Sequence, residues 1–272
     1  MDLKNKVVLL TGAGGGIGQA LAKKLASAGA TLLLSGRDQT ALNALRSELP
    51  GEHRVLAADI NTETGRNALV EACRLYARPL DILINNAGVN RFGLFRNLRQ
   101  SDLEALLMTN LVAPMLLTRA LLPALLERNQ GLIVNIGSTF GSIAFPGFAA
   151  YSATKFGLRG FTEALRRELD GSQVQVLYVA PRATRTAFNA GAVDDLNKAL
   201  KTPTDKPDKV ATAIVKAIQL EQAITQIGWQ ERLFSRINAL MPARVDKALR
   251  KKLPVISRFA KQATATKPRA DA

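Results

Sequence analysis

The sequence predicts an α/β fold in which a doubly wound parallel sheet is covered by helices on both faces. Strand-like and helix-like stretches alternate along the chain, and the strand-like stretches are almost continuously apolar. Alternation favours right-handed crossovers between parallel strands, and continuously apolar strands are typical of a sheet buried between two helix layers. Ligands bind to such sheets beyond the carboxyl ends of the strands, so we expect the chemistry in the loops that follow them.

The pattern places every element of this sheet in order. We predict strands over residues 7–11, 30–35, 55–59, 81–85, 132–137, 174–179 and 223–228, and helices over 17–28, 40–49, 63–77, 101–128, 151–170 and 209–220. The chain of 272 residues suits a single catalytic domain over 1–228 with a C-terminal helical extension over 229–272. The polar composition after about residue 263 predicts disorder there.

The composition excludes several classes of site. The chain has one cysteine, Cys73, and one histidine, His53. An internal disulfide, a thiolate or zinc site and a Ser-His-Asp triad each need more than these residues offer, and we expect no metal. Cys73 lies in a helical pattern and is expected in the core, whereas His53 follows a Pro-Gly turn and is expected on the surface. The N-terminus lacks a signal-peptide layout and no uncharged apolar run appears long enough to span a bilayer, which predicts a cytoplasmic protein.

A glycine-rich loop, TGAGGGIG, lies over residues 11–18 between the first strand and the first helix. A helix N-terminus offers free N–H groups and a positive dipole end to a phosphate. The dinucleotide spacing G-x-G-x-x-G fails here because position 17 is isoleucine. The spacing that fits is T-G-x-x-x-G-I-G, carried by Thr11, Gly12, Gly16 and Gly18.

A tyrosine and a lysine are spaced one helical turn apart in the stretch YSATK, as Tyr151 and Lys155. Residues at i and i+4 share a helix face, so the ammonium can stabilise the phenolate and lower the tyrosine pKa towards neutrality. Such a phenol can act as a general acid or base. The pair alone is equally consistent with a chance arrangement on a solvated face.

The loop, the stretch NNAG over 85–88 and the tyrosine–lysine pair together resemble the short-chain dehydrogenase/reductase family, whose motifs run in order from about residue 5 to 228. The resemblance implies a Rossmann fold that binds a nicotinamide cofactor. It also implies a catalytic set in which Tyr151 donates a proton to a carbonyl oxygen, Ser138 orients that oxygen, Lys155 lowers the tyrosine pKa and binds the ribose, and Asn110 holds a relay water.

The resemblance also indicates where the cofactor binds. The contact set that it implies is Thr11, Gly12, Gly16, Ile17, Gly18, Arg37, Asp59, Ile60, Asn86, Ala87, Gly88, Tyr151, Lys155, Pro181 and Thr186. Gly36 occupies the expected acidic position and Arg37 follows it, which favours NADP over NAD. Asp59 has an alternative interpretation as the N-cap of the next helix.

We therefore predict an NADP-dependent oxidoreductase that acts on a carbonyl or alcohol, with an apolar or lipid-like substrate. An NAD-dependent alcohol dehydrogenase and a non-catalytic cofactor-sensing or scaffold protein stay open as alternatives. The family implies a homodimer or homotetramer built through the helices that begin near Ser101 and Tyr151. Arg182 replaces the family's usual glycine, and it is either a ligand for a substrate anion or, as we favour, a solvated side chain.

The basic charge is concentrated in the C-terminal extension. Residues 229–272 contain eleven Lys or Arg and three acidic residues, a net +8 of the total +15. Apolar residues recur at helical spacing from Trp229 to Leu240 and again from Val245, with breaks expected at Pro242 and Pro254. The extension over 229–259 either contacts an anionic membrane surface, on the inner face of a membrane, or packs on the domain with its basic side in water. Nothing resembles a base-reading motif, so nucleic acid is not expected.

Overall fold

The structure, a computed structural model, describes residues 1–265 and confirms the doubly wound parallel sheet. Its seven strands follow the order β3-β2-β1-β4-β5-β6-β7, and each neighbouring pair is parallel. The order changes direction between β1 and β4, which places a crevice at their carboxyl ends. The strands are β1 Val7–Thr11, β2 Thr31–Gly36, β3 Arg54–Ala57, β4 Ile82–Asn85, β5 Gly131–Ile136, β6 Val174–Ala180 and β7 Ile224–Gln226.

Helices cover both faces of this sheet. They are α1 Gly16–Ser27, α2 Gln39–Ser47, α3 Glu63–Arg74, α4 Gln100–Leu107, α5 Ala113–Glu127, α6 Ala149–Glu168, α7 Ala192–Ala199, α8 Pro207–Gln219, α9 Trp229–Leu240 and α10 Pro242–Ala265. The long helix predicted over 101–128 is α4 and α5 joined by a π-helical turn over Met108–Val112. Side-chain caps begin two of the helices: Asp38 accepts the Ala41 N–H at 3.0 Å, and Thr62 accepts the Gly65 N–H at 3.0 Å.

The core consists of one apolar layer on each face of the sheet, because successive side chains of a strand point to opposite sides. In β1, Val8 and Leu10 pack with α1, α2 and α8, whereas Val7 and Leu9 pack with α3, α5 and α6. Each fully buried Leu or Val of this kind stabilises the fold by about 1.5–3 kcal/mol. This double burial is the physical reason that the strands read as continuous apolar runs.

The surface position predicted for His53 is wrong, whereas the core position predicted for Cys73 is confirmed. His53 Nδ1 accepts the Leu32 N–H at 3.1 Å, and its Nε2 lies 3.0 Å from the Pro50 carbonyl oxygen. A neutral ring protonated on Nε2 satisfies both bonds, and burial lowers the histidine pKa. The imidazole therefore joins the turn before β3 to the start of β2. Burial raises the pKa of the Cys73 thiol to about 12.

The segment Gln100–Glu127 is long and apolar enough to cross a membrane by length and composition. The sequence expectation concerned uncharged runs, and Arg119 interrupts this segment. About half of its most apolar window, 44%, is buried inside the structure. On α5 the buried residues include Leu117, Leu121 and Leu125, which pack in the layer beneath the sheet. A core helix of this kind meets the same criterion, so the finding is weak support for a membrane span.

The two helices of the C-terminal extension differ in what they bury. The break at Pro242 is confirmed, but the break predicted at Pro254 is wrong, because α10 continues through this residue. Arg250 and Pro254 are exposed, so water can bond the carbonyl that the missing proline N–H leaves free. Val245, Ile256 and Ala260 of α10 are buried, and α10 packs on α7. The disorder predicted near the end of the chain falls largely outside the described residues.

Candidate active site

A cavity of about 900 Å³ lies at the carboxyl ends of the strands, where the change in strand order predicts a ligand site. Fourteen of the fifteen predicted cofactor contacts line it: Gly12, Gly16, Ile17, Gly18, Arg37, Asp59, Ile60, Asn86, Ala87, Gly88, Tyr151, Lys155, Pro181 and Thr186. Ser138 lines it as well, whereas Thr11 and Asn110 lie behind its wall.

The glycine loop is shaped by close backbone approaches at Gly12, Gly16 and Gly18. Gly12 has a φ of +64°, and a Cβ there would lie 2.7 Å from the Cα of Ala87. A Cβ at Gly18 would overlap the Gly12 carbonyl oxygen, and one at Gly16 would lie 2.9 Å from the Cβ of Thr186. Gly14 has open space around it. The three glycines of the motif therefore have steric roles that Gly14 does not share.

Thr11 holds the glycine loop to the loop after β4. Its hydroxyl donates to the Ile84 carbonyl at 3.2 Å and accepts the N–H groups of Asn86 at 3.0 Å and Ala87 at 3.1 Å. The Asn86 amide donates back to the carbonyls of Thr11 and Gly12, each at 3.0 Å. Thr11 therefore positions two cavity walls from behind, which differs from the direct cofactor contact that the sequence predicts.

The loops after β2 and β3 form one end of the cavity. Arg37 is exposed, and among the described residues it has no hydrogen-bond or ion-pair partner, whereas the neighbouring Asp38 caps α2. The capping alternative for Asp59 is wrong, because Thr62 caps α3. The Asp59 carboxylate instead accepts the Asn61 N–H at 2.9 Å and lies on the cavity wall.

Three buried side-chain atoms on the cavity wall have no hydrogen-bond partner within the part of the chain that the structure describes. They are Ser35 Oγ, Asn61 Oδ1 and Asn90 Oδ1. Buried polar atoms are normally bonded, so a ligand bound in this cavity can supply the partner that each of them lacks. Ser35 and Asn61 lie beside Arg37 and Asp59, and Asn90 follows the NNAG loop. Their distribution fits a long ligand with polar groups at both ends, such as a dinucleotide.

Tyr151 and Lys155 lie on the first turns of α6, both buried against the cavity. Lys155 Nζ donates to the Ile136 carbonyl at 3.0 Å and lies 5.8 Å from the centre of the Tyr151 ring. Phe140, Phe148 and Phe188 surround this ring at centroid distances of 6.3, 6.3 and 6.0 Å. The pair therefore occupies an apolar pocket rather than the solvated face that was its alternative interpretation.

Burial controls the acidity of this pair. It raises the pKa of Tyr151 to about 12, with the Ser138 hydroxyl acting in the opposite direction. It also lowers the pKa of Lys155 to about 8. The sequence predicts that Lys155 lowers the tyrosine pKa, but here the desolvation of the phenol has the larger effect. Each group is therefore pushed towards its neutral form.

Ser138 is held by a residue that sequence reasoning missed, Tyr178 on β6. The Tyr178 hydroxyl lies 3.4 Å from both the N and the O of Ser138, and also 3.4 Å from the Lys155 carbonyl oxygen. Its ring fills the space that a Cβ at Gly137 would need, and its hydroxyl fills the space that a Cβ at Gly141 would need. The two glycines that flank Ser138 are the signal that could have indicated a large side chain beneath this loop.

Asn110 lies in the π-helical turn, fully buried. Its Oδ1 accepts the Val89 N–H at 2.8 Å and its Nδ2 donates to the Val89 carbonyl at 2.9 Å, with Thr154 Oγ1 a further 3.3 Å acceptor. These bonds explain a polar residue within an apolar helix. The side chain fixes the loop that follows NNAG, next to Lys155.

Arg182 is neither a solvated side chain, as we favoured from the sequence, nor a free anion ligand. It forms a bidentate pair with the buried Asp205, with Nε–Oδ2 at 2.7 Å and Nη2–Oδ1 at 2.9 Å. Glu231 on α9 lies 3.5 Å from Arg182 Nη1. The guanidinium lowers the pKa of Asp205 and joins three segments: the loop after β6, the loop before α8 and the start of the C-terminal extension.

Replacing Arg182 by alanine is expected to destabilise the fold by roughly 2–4 kcal/mol, because the buried Asp205 carboxylate loses its main partner. Since the pKa of Asp205 is depressed in the folded state, the contribution of the pair is present above the unfolded pKa and is lost as pH falls through the folded pKa. Urea unfolding at neutral pH measures the change. Arg185→Ala is the control, because exposed Arg185 bonds only Thr204 through its side chain in the described residues. Equal effects of the two substitutions would contradict the assignment.

The fold and the cavity together define a dinucleotide-dependent oxidoreductase. A family model described as short chain dehydrogenase matches residues 6–197. The chain therefore belongs to the short-chain dehydrogenase/reductase family, and the resemblance inferred from the sequence is confirmed.

Individual proteins show the same relationship. The chain is 35% identical over 259 residues to the ketoacyl reductase HetN of Nostoc sp., covering 91% of this chain and 89% of that protein. A short-chain dehydrogenase from Sphingobium yanoikuyae in complex with NADPH superimposes with a TM-score of 0.75 at 28% identity, covering 98% of each chain. A 3-ketoacyl-(acyl-carrier-protein) reductase from Brucella melitensis complexed with NADH does so with a TM-score of 0.75 at 27% identity, covering 83% of this chain and 97% of that one. These similar structures hold either cofactor, so they leave the choice between NADP and NAD open.

Proposed function

We propose that this protein is an NADP-dependent carbonyl reductase of apolar substrates, with Tyr151 as the general acid. The observation that carries the proposal is the buried Tyr151–Lys155 pair beside Ser138 at the apolar part of the cavity. A phenol kept protonated up to a pKa of about 12 is in the right state to donate a proton at neutral pH.

Each residue of the proposed catalytic set has a separate role in the reduction of the carbonyl. The nicotinamide, when bound, supplies the hydride to the carbonyl carbon. The Ser138 hydroxyl orients the carbonyl oxygen, and the Tyr151 hydroxyl delivers the proton to that oxygen, so the carbonyl becomes an alcohol. Lys155, with a pKa of about 8, can return a proton towards Tyr151 near neutral pH, and Asn110 fixes the backbone of Val89 at this side of the cavity.

The cavity wall near Tyr151 supports an apolar substrate. Its lining there is mainly aromatic and aliphatic, with Phe140, Phe145, Phe148, Phe188, Val193, Leu196 and Leu200. A wall of this kind excludes water and favours an alkyl or acyl chain over a sugar. Since two of the similar proteins are named ketoacyl reductases, 3-ketoacyl thioesters are the first substrates to test.

A panel of carbonyl compounds, scored by loss of NADPH absorbance, tests the proposal. We expect the highest kcat/KM for ketoacyl thioesters of medium chain length and lower values for small polar ketones. Tight cofactor binding with no turnover of any member would favour the alternative, a cofactor-sensing or scaffold protein. Turnover mainly of alcohols with NAD would favour an alcohol dehydrogenase.

Arg37→Asp is expected to reverse the cofactor preference. Removing a cation from the 2′-phosphate should raise the Kd of NADPH by about 10–100-fold, the range for a hydrogen bond to a charged group. NADH affinity should hold or improve, because a carboxylate can bind the 2′-hydroxyl. Titration of both cofactors by fluorescence measures this, and Arg46→Asp is the matched control, since exposed Arg46 lies on α2 away from the cavity. An unchanged NADPH Kd in Arg37→Asp would contradict the NADP assignment.

We also propose that the protein assembles as a homodimer or homotetramer in the cytoplasm. Exposed apolar side chains support this assembly: Leu107, Met115 and Leu126 lie on the α4–α5 segment, and Phe156 lies on α6. These are the helices that the sequence predicted as the interface. Light scattering of the purified protein gives the number of copies directly.

A further inference from the structure

The helix α9 turns large apolar side chains towards solvent. Trp229 is 72% exposed, Leu240 80% and Leu233 49%. At 100° per residue these three positions lie within about 40° of one another, so they form one stripe along the helix. Phe234 and Met241 are exposed as well, but they lie outside this stripe. Concentrated exposure of this kind marks an interaction surface.

The opposite side of α9 is attached to the domain by polar contacts. Glu231 pairs with Arg182, and Asn238 Nδ2 donates to the Ser142 carbonyl at 3.0 Å. These contacts fix the rotation of the helix about its own axis. The outward direction of Trp229, Leu233 and Leu240 is therefore set by the fold, and α9 has no buried residue of its own.

Basic side chains lie next to this stripe. Arg232 and Arg236 on α9 are exposed and lie along one edge of it. On α10, Val245, Ile256 and Ala260 point inward, and its exposed side carries Leu253 together with the cations Arg244, Lys247, Arg250, Lys251, Lys252, Arg258 and Lys261. Asp246 is the only exposed acid over residues 229–263, because Glu231 is turned towards Arg182. The surface combines an apolar stripe with a strong positive field.

We propose that α9 docks this protein on an anionic lipid bilayer. Trp229, Leu233 and Leu240 would enter the interfacial layer while the arginines and lysines of α9 and α10 meet the lipid phosphates. Charge favours this occupant over a second copy of the chain, which would bring a like-charged surface against this one. Docking through this stripe separates the cavity from the bilayer by the width of α9, because Glu231, which lines the cavity, lies on the opposite side of the helix from Trp229. The proposal rests on α9 and α10 and does not depend on the reaction that the site performs.

Co-sedimentation of the full chain with vesicles tests the proposal. We expect binding to vesicles of equal phosphatidylcholine and phosphatidylglycerol and little binding to pure phosphatidylcholine. Trp229→Ala with Leu240→Ala should weaken binding to the anionic vesicles by about tenfold or more, the loss of two interfacial apolar groups. The matched control is Leu75→Ala with Leu220→Ala, since these leucines are 66% and 56% exposed at other sites and should not alter binding.

A second pair of substitutions tests the charge. Arg232→Gln with Arg236→Gln should weaken binding by about fivefold for each cation removed, and added salt should weaken wild-type binding in the same direction. Equal binding to neutral and anionic vesicles would overturn the proposal. The proposal would also be overturned if the double variant Trp229→Ala with Leu240→Ala bound anionic vesicles as tightly as the wild-type protein does. If the same double variant differed from wild type in the number of copies measured by light scattering, while its vesicle binding was unchanged, the stripe would be assigned to contact with a second copy of the chain instead.

Discussion

Replacing Tyr151 by phenylalanine is expected to lower kcat by about 10²–10⁴-fold, the range for loss of a general acid. The substitution removes only the hydroxyl, so the ring keeps its contacts with Phe140, Phe148 and Phe188. The fold and the affinity for NADPH should therefore be retained, and the loss should appear in kcat rather than in the cofactor Kd. Steady-state rates with the best ketoacyl substrate, together with a fluorescence titration of NADPH, separate the two quantities.

The matched control is Tyr76→Phe. Tyr76 lies at the end of the α3 region, with Arg54 4.9 Å over its ring and no part in the cavity wall, so loss of its hydroxyl should leave kcat unchanged. Unchanged turnover in Tyr151→Phe would remove this residue from the chemistry. A fall in NADPH affinity of the same size as the fall in kcat would instead assign it to cofactor binding.

The sequence predicts the sheet well because burial on both faces leaves a simple signal. Seven apolar runs predict seven strands, and the structure has all of them, with ends that differ by a few residues. The residues of the glycine loop and of the Tyr151–Lys155 pair are also found from local spacing. Each of these signals lies within a few residues of chain, where helix and strand geometry decide which side chains meet.

The sequence predictions are wrong for side chains whose bonding partners are distant in the chain. Arg182 looked solvated because its partners, Asp205 and Glu231, come 23 and 49 residues later. His53 looked exposed because the bond that buries it goes to Leu32 of a neighbouring strand. Local pattern carries no information on such pairings, since they depend on how the loops meet after the sheet has formed.

In the C-terminal extension, too, the sequence predicts the local structure but not how that structure packs on the rest of the domain. Helical spacing predicts an apolar stripe on both α9 and α10, but not the direction in which each stripe points. In the structure the α10 stripe packs inward through Val245 and Ile256, whereas the α9 stripe faces solvent at Trp229 and Leu240. Of the two interpretations that are alternatives at the level of sequence, packing on the domain describes α10, and surface binding stays a proposal for α9.

Replacing Gly18 by alanine is expected to destabilise the fold by roughly 2–3 kcal/mol and to abolish NADPH binding, because inserted atoms in a packed site force the backbone to shift. A Cβ there overlaps the Gly12 carbonyl oxygen and lies 2.9 Å from the Cα of Ala13. Both obstacles are backbone atoms, so no side-chain rotation relieves them, and the turn that presents its N–H groups to the cofactor must open.

Gly14→Ala is the control in the same loop, since a Cβ at Gly14 meets nothing within 4 Å. Its effect should stay within about 0.5 kcal/mol. Urea unfolding and NADPH titration of the two variants measure the difference, and an equal loss in both would mean that flexibility of the loop, rather than close packing at Gly18, is what the cofactor requires.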